Sequence, residues 1–262
     1  MQANDNRRPR RAIAPNCAAP LRAALCGFAL LGCALTLQPA FAADATAPQV
    51  APSAPRASAR RADFMQEQAS PNARQIADWV LDAADHRGQP FVIVDKADAK
   101  VFAFDRDGQL LGAASALIGM ARGDDTVPGI GNRKLSSIRL HERTTPAGRF
   151  AASLERSLHG DEILWVDDDA AIVLHRVVDL PNERRLQRLA GSNPLDRRIT
   201  YGCINVPLAF FNDVVSGMFK GTTGIVYVLP ETRSLRAVFG SYDVQEMAWR
   251  RGEHVEAAPL RY

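Results

Sequence analysis

The residues Phe91-Val92-Ile93-Val94-Asp95 and Val101-Phe102-Ala103-Phe104 form two short runs that are almost entirely apolar, with many β-branched and aromatic side chains. Such runs are typical of buried β-strands. Asp107-Gly108 then gives a hairpin-turn signal. Further runs of strand character follow at residues 110–118, 150–154, 163–166, 171–177 and 224–229. The pattern predicts one mostly β domain over residues 89–231, accompanied by short helices.

Upstream of these strands, one segment has helical rather than strand-like spacing. Ser70-Pro71 is a helix start, with serine as N-cap and proline at the first helical position. The apolar residues from Ile76 to Ala83 share one face, and Gly88 closes the segment. We therefore predict an N-terminal helix within residues 70–88. Of the remaining chain, only residues 208–218 read as another helix.

The first forty residues have the pattern of a secretory signal. A basic start precedes an apolar stretch from Ala23 to about Leu37, and Ala40-Phe41-Ala42 gives a small-x-small cleavage site. We predict a signal peptide over residues 1–42, with no stable membrane span after its cleavage. An uncleaved anchor, or lipidation at Cys33, is the alternative. The prediction places the protein in the periplasm or cell envelope.

The charge of the chain depends strongly on this leader. The whole chain carries a formal charge of +3, whereas residues 1–42 hold five arginines and one acid, a net of +4. The remainder therefore carries about −1, by subtracting +4 from +3. A basic leader gives no reason to expect a nucleic-acid partner.

Two further segments flank the predicted domain. Residues 43–69 are rich in alanine, proline, serine and arginine and predict a flexible linker. Residues 232–262 are mixed in charge and form a C-terminal tail of uncertain order.

The cysteines single out one candidate nucleophile. Three of the four, Cys17, Cys26 and Cys33, lie in the predicted signal, so Cys203 is the only thiol of the predicted mature chain. A lone thiol in an oxidising compartment has no internal disulfide partner. Gly202, directly before it, favours a tight turn and exposes backbone N–H groups that can stabilise an oxyanion. A plain turn glycine is the alternative.

A cysteine needs a base to form a thiolate, and histidine is the usual partner. Of the five histidines, only His175 ends a strongly apolar strand, and strand alternation puts Val173, His175 and Val177 on one face. On this pattern His175 is either a catalytic base or a satisfied structural histidine. The chain has no His-Glu-x-x-His motif and no zinc-type spacing of Cys and His. Asp167-Asp168-Asp169 reads as an acidic hairpin turn.

Two motifs together resemble a known family. Thr200-Tyr201-Gly202-Cys203-Ile204-Asn205 resembles the signature around the cysteine of L,D-transpeptidase catalytic domains (YkuD-like), and Thr145-Pro146-Ala147-Gly148-Arg149-Phe150 resembles a second segment of that family. The resemblance covers about residues 90–231. It implies a β-sandwich-like or barrel-like domain with short helices. It also implies peptidoglycan stem peptides as substrates and no metal or organic cofactor.

The resemblance also implies residue roles. Cys203 would be the nucleophile, His175 the base, and the backbone amides of Gly202 and Cys203 the oxyanion stabilisers. Thr200 would orient the histidine, and Asn205 matches a polar position after the cysteine. The thiolate would attack the carbonyl of the third stem residue and release terminal D-alanine. An amine of a second stem or of an envelope lipoprotein lysine would then take the acyl group.

The sequence departs from the family pattern at three points. Tyr201 stands where histidine is common, and Arg176 stands where glycine usually follows the base. The segment between His175 and Cys203 is long and rich in arginine. We expect Tyr201, Asn205, Arg197 and Arg198 to contact substrate, with the arginines gripping carboxylates. A solvated charged insertion is the alternative for the arginines.

Two other functions remain open at this point. The same scaffold can pass the acyl group to water, as an L,D-carboxypeptidase or a crosslink hydrolase. A non-catalytic cell-wall-binding protein would keep the fold without the chemistry.

Overall fold

A computed structural model of the chain describes residues 60–252. The predicted signal peptide, most of the predicted linker and the last ten residues lie outside the described residues. Within residues 60–252 the strands are β1 (Phe91–Asp95), β2 (Lys100–Phe104), β3 (Leu110–Ser115), β4 (Ile118–Gly119), β5 (Gly148–Arg156), β6 (Glu162–Asp167), β7 (Ile172–Arg176), β8 (Arg198–Thr200), β9 (Ile204–Val206) and β10 (Thr223–Val228).

The helices are short apart from the first. They are α1 (Pro71–Asp82), α2 (Arg185–Ala190), α3 (Leu208–Phe210), α4 (Gly217–Phe219), α5 (Leu235–Phe239) and α6 (Val244–Arg250). A π-helical stretch, Phe211–Ser216, joins α3 to α4. The predicted helix at 208–218 is therefore present, but α2, α5 and α6 were not expected.

Eight strands form one mixed sheet in the order β3-β2-β1-β10-β5-β6-β7-β9. The pairs β1–β10 and β7–β9 are parallel, and the other neighbours are antiparallel. Leu117, just after β3, exchanges backbone hydrogen bonds of 2.8 and 2.9 Å with Asn205 on β9. This contact brings the two edges of the sheet together, so the sheet curls towards a barrel. The predicted mostly β fold is confirmed.

The two faces of the sheet are packed differently. Strand alternation turns Val92 and Val94 of β1 to one face and Phe91 and Ile93 to the other. The first face is largely aliphatic and lies against the π-helical stretch. The second face is aromatic and is covered by α1, where Trp79 meets Tyr227 edge-on at a centroid distance of 6.4 Å.

The segments that flank the domain are part of it where they are described. The Ser70 hydroxyl caps α1 by accepting from the Ala73 N–H at 3.1 Å, as the sequence predicts. Phe64, in the predicted linker, is only 3% exposed and belongs to the aromatic face. Leu235 and Val244 of the predicted C-terminal tail are buried in the same cluster. Phe64, Leu235 and Val244 thus attach these two segments to the sheet.

No helix within residues 60–252 is both long enough and apolar enough to cross a bilayer.

Candidate active site

A tight turn between β8 and β9 carries Cys203. The Thr200 hydroxyl accepts from the Gly202 N–H at 3.1 Å and donates to the Cys203 carbonyl at 2.7 Å. These two hydrogen bonds close the turn. Gly202 has φ +134°, and a Cβ there would lie 2.7 Å from both Ile172 Cδ1 and the Thr144 carbonyl oxygen. Only glycine fits these constraints, so the turn places the cysteine rigidly.

A second motif holds this turn from behind. Thr145, which is 2% exposed, donates its hydroxyl to the Gly202 carbonyl at 2.8 Å and accepts from the Gly119 N–H at 2.9 Å. The Thr145-Pro146-Ala147-Gly148 segment therefore has a structural role, because its threonine anchors the cysteine turn to β4. The sequence identified this segment by resemblance but did not give its role.

The parallel pairing of β7 and β9 brings Cys203 and His175 to one place. His175 lies directly opposite Asn205, and Leu174 lies opposite Ile204. Cys203 is therefore level with Val173, two residues before His175 on the same face of β7. One cavity of about 660 Å³ is lined by Val173, His175, Cys203 and Asn205. The Cys203 Sγ lies 3.9 Å from the Ala171 carbonyl oxygen.

Three hydrogen bonds orient the imidazole of His175. Its Nδ1–H donates to the Arg176 carbonyl at 2.7 Å. The Asn205 side-chain amide donates Nδ2–H to Nε2 at 2.7 Å. Arg185, at the start of α2, donates Nη1–H to the Asn205 Oδ1 at 3.0 Å. The imidazole is thus held by one backbone carbonyl and by the Asn205 amide, which Arg185 holds in turn.

Burial favours the neutral form of both reactive groups. It raises the pKa of the Cys203 thiol, although the Val173 backbone and the charge of Arg185 lower it in part. It also lowers the pKa of His175; the Arg176 carbonyl and Asp161 act in the opposite direction, and Arg185 lowers it further. Both effects act against a thiolate–imidazolium ion pair.

The cavity combines an apolar wall with charged side chains. Ile163, Trp165 and Ile172 line it, and Leu158 and Leu208 on its rim are 61% and 58% exposed. Its charged lining includes Arg133, Asp161, Glu162, Glu183 and Arg185. Such a cavity offers van der Waals contact to apolar groups and ionic contact to both carboxylates and amines.

Two of the predicted substrate contacts do line this cavity. Asn205 lines the cavity and also donates to His175, and Tyr201 lines it as well. The Arg143 guanidinium lies 3.8 Å from the centroid of the Tyr201 ring, a cation–π contact that fixes the ring orientation.

The expected roles of Thr200 and Gly202 need correction. The Thr200 hydroxyl bonds the backbone of the cysteine turn and not His175, because the tight turn brings two backbone groups within its reach. The Gly202 N–H donates to that same hydroxyl rather than into the cavity. Of the two amides predicted for an oxyanion, that of Gly202 is therefore occupied in this state.

The expectation that Arg197 and Arg198 grip substrate is wrong. Arg197 is 7% exposed and donates to the carbonyls of Asp98, Ala99 and Gly191. Arg198 donates to the Lys96 carbonyl at 3.0 Å and pairs with Glu231. Both guanidinium groups donate to interior acceptors, and neither residue lines the cavity. Arg185 of the same segment lines the cavity instead.

Comparisons with known proteins give similarity to solved structures. No family model and no curated protein matches the chain. Similar structures include an L,D-transpeptidase from Xylanimonas cellulosilytica, with 17% identity over 54% of this chain and 60% of that chain and a TM-score of 0.33. A variant of the Enterococcus faecium L,D-transpeptidase matches at 17% identity over 54% of this chain and 50% of that one, with a TM-score of 0.34.

The helical cell shape determining protein Pgp2 from Campylobacter jejuni is also similar. It matches at 15% identity over 63% of this chain and 56% of that chain, with a TM-score of 0.37. The chain thus spans between 50% and 60% of the length of these three structures.

Proposed function

We propose that the protein is a cysteine-dependent acyltransferase of the L,D-transpeptidase type, acting on the peptide stems of peptidoglycan in the cell envelope. The observation that carries the proposal is the juxtaposition of Cys203 and His175. His175 stands on β7, Cys203 directly precedes the parallel strand β9, and both line one cavity. A thiol and an imidazole that share one cavity, with the imidazole held in a fixed orientation, form an arrangement that nucleophilic catalysis uses.

The first half-reaction forms a thioester. The Cys203 thiol gives its proton to His175 Nε2, and the sulfur forms a bond to the carbonyl carbon of the third stem residue. The tetrahedral intermediate then collapses, the carbon–nitrogen bond to terminal D-alanine breaks, and the imidazolium returns its proton to the leaving amine. Because Nδ1–H stays on the Arg176 carbonyl at 2.7 Å, Nε2 is the nitrogen that exchanges the proton, and it does so when the hydrogen bond from the Asn205 amide is displaced.

The second half-reaction releases the enzyme. An amine attacks the thioester carbonyl, His175 accepts its proton, and the Cys203 sulfur leaves and is reprotonated. An amine of a second stem, or a lysine of an envelope lipoprotein, gives a new amide bond. Water as acceptor would give hydrolysis instead.

A product assay on a tetrapeptide stem tests the proposal. We expect release of free D-alanine together with a crosslinked product when a second stem supplies the amine, both detected by mass spectrometry. Cys203→Ala and Cys203→Ser should abolish both products while circular dichroism shows an unchanged fold, because an unactivated hydroxyl cannot replace the thiolate.

Two outcomes would contradict the proposal. Near-normal D-alanine release by Cys203→Ala would remove the cysteine from the reaction. Release of D-alanine without any crosslinked product, at a saturating amine concentration, would assign the protein as a hydrolase. A carbapenem adduct on Cys203, seen by intact mass, would add support by reporting an accessible, acylable thiol.

A further inference from the structure

A line of hydrogen bonds runs from the arginine-rich segment to His175. The relevant groups are Arg185, Asn205 and His175, which are linked in a single line of hydrogen bonds. Arg185 belongs to the arginine-rich segment between β7 and β8, whereas the other two residues stand opposite each other on β7 and β9.

The chemistry of each group fixes the direction of these bonds. A guanidinium has only donors, so the Asn205 atom that faces Arg185 must be the carbonyl oxygen Oδ1. The other end of the same amide, Nδ2–H, then points to His175 Nε2 at 2.7 Å. Since an amide nitrogen only donates, Nε2 must accept and therefore has no proton.

The other side of the imidazole is consistent with this assignment. The Arg176 carbonyl can only accept, so the nitrogen 2.7 Å from it, Nδ1, carries the proton. Arg176 is itself tied down: its guanidinium donates to Asn212 Oδ1 at 2.6 Å and lies 4.2 Å from the centroid of the Phe211 ring. The carbonyl that holds His175 is therefore on an anchored residue.

A reversed Asn205 amide would favour the opposite charge state. Its Oδ1 would then accept from an Nε2–H, and with Nδ1–H on the Arg176 carbonyl the imidazole would be doubly protonated. The same reversal would turn Nδ2 towards the Arg185 guanidinium, where two donors would face each other. Arg185, whose side chain is 14% exposed and is held by Glu183 at 2.6 Å, forbids that orientation.

We propose that Arg185 is a positioning residue that fixes the side-chain amide of Asn205 and thereby keeps His175 neutral, with its proton on Nδ1 and its Nε2 lone pair as the basic site. The catalytic use of that lone pair rests on the proposed function. The proton location does not, because it follows from the contacts alone. Other charged or titratable groups that bear on His175 are Asp161, from the turn between β5 and β6, and the Cys203 thiol.

Nitrogen-15 NMR of the histidine side chains tests the proposal without any substrate. In the labelled protein, with the His175 signals assigned by comparison with His175→Gln, we expect a protonated Nδ1 and an unprotonated Nε2 at neutral pH. In Arg185→Met both the donor and the positive charge are lost, and Asn205 is free to reverse. Each change favours the imidazolium, so the titration of His175 should move up by about one pKa unit or more.

Three matched variants separate positioning from general effects. Arg184→Met removes the neighbouring, exposed arginine and should leave the His175 titration unchanged. Arg185→Lys keeps a positive group that only donates and should bring the titration back towards the wild-type value. Asn205→Asp, an isosteric change, replaces the donor by an acceptor and should leave Nε2 protonated at neutral pH.

The outcomes for this role and for the proposed function are distinguishable. A wild-type His175 with Nε2–H at neutral pH, or an Arg185→Met variant that titrates like the wild type, would overturn the positioning role whatever the turnover. The expected spectra without any D-alanine release would support the positioning role and refute the proposed function. If both hold, the acid limb of the rate–pH profile should shift upwards in Arg185→Met by the same amount as the NMR titration.

Discussion

Two buried polar regions lie at the two ends of the short strand β8. One consists of ion pairs, and in the other burial favours neutral side chains. At its start, Arg198 joins a cluster formed with Lys96, Asp124 and Glu231, in which every member is ionisable and the side chains are 8% exposed or less. At its end lies the turn of Cys203, where burial favours the neutral forms of the thiol and of His175.

The charged cluster is saturated with partners. Asp124 accepts from Lys96 Nζ at 3.1 Å, from the N–H groups of Glu231, Thr232 and Arg233 at 2.6 to 2.8 Å, and from the Thr232 hydroxyl at 2.6 Å. A buried charge is tolerated only with such compensation. The cluster thereby fastens the chain after β10 to the loop after β4, and its role is structural.

At the other end of β8, the Cys203 thiol is only weakly hydrogen-bonded. The Cys203 Sγ lies 3.9 Å from the Ala171 carbonyl oxygen, whereas both nitrogens of His175 have a partner at 2.7 Å, the Arg176 carbonyl and the Asn205 amide. The difference teaches that complete hydrogen bonding marks a structural polar site, and that a weakly bonded thiol next to a cavity marks a site that can react.

The sharpest way to break this comparison is to remove the base. We expect His175→Ala to lower the rate of D-alanine release by about a hundred- to ten-thousand-fold, as is usual for the loss of a general base. His159→Ala is the matched control, because His159 lines the same cavity but stands exposed in the turn between β5 and β6. Equal losses in the two variants would exclude His175 as the base.

The charged cluster should respond in stability rather than in chemistry. Asp124→Ala leaves Lys96 and several N–H groups without their acceptor, and it should lower the free energy of unfolding by about 3–5 kcal/mol. Asp125→Ala removes the neighbouring carboxylate, which is 80% exposed, and should change the stability by less than about 0.5 kcal/mol. Urea titration of both variants checks this. Equal midpoints would mean that the cluster contributes nothing.

The same cluster predicts a pH dependence. Burial opposes ionisation of Asp124, but the hydrogen bonds from Thr232, Glu231 and Lys96 outweigh it and hold the pKa of the carboxyl well below its usual range. A lowered pKa stabilises the fold at every pH above the ordinary carboxyl value of about 3.9 and ceases to do so as the pH falls through the folded value. The wild type should therefore lose more stability than Asp124→Ala between about pH 4 and pH 2.

Thr145 belongs to both regions and sharpens the comparison. Its carbonyl accepts from Lys96 Nζ at 3.0 Å, and its hydroxyl donates to the Gly202 carbonyl at 2.8 Å. Thr145→Val should destabilise the fold by about 1–3 kcal/mol, because it leaves two buried backbone groups unsatisfied. Thr145→Ser should restore most of that loss. If valine and serine behaved alike, the hydroxyl would have no role in holding the turn.

Much of the fold could be predicted because its strands are dense in apolar residues. The run at Phe91–Asp95 agrees with β1 residue for residue, and Ser70-Pro71 marks the start of α1. The strands β8 and β9 have only three residues each and were not expected, because their pairing depends on partners distant in the sequence. Helix α2 was not expected either, because its short sequence, with two arginines in six residues, reads as part of a charged insertion.

The candidate site was partly predictable for a similar reason. Cys203 and His175 stand out as a lone thiol and as the one histidine that ends an apolar strand. The direction in which a long arginine side chain points is not encoded locally, so the sequence could not distinguish Arg185 from Arg197 and Arg198. The hydroxyl of Thr200 was assigned to the histidine, but the geometry of a tight turn, which the motif alone does not reveal, uses it for the backbone.

The smallest effect is expected at Tyr201, which lines the cavity and contacts Arg143. The Arg143 guanidinium, 3.8 Å from the ring centroid, is attracted by the aromatic face, which phenylalanine also has. Tyr201→Phe should therefore change the rate of D-alanine release by no more than about threefold, whereas Tyr201→Ala removes the stacking and costs about 0.5–1 kcal/mol of stability. Rates and urea midpoints for both variants check this. A loss in Tyr201→Phe as large as that in His175→Ala would give the hydroxyl a direct part in the reaction and would add a third member to the reactive region.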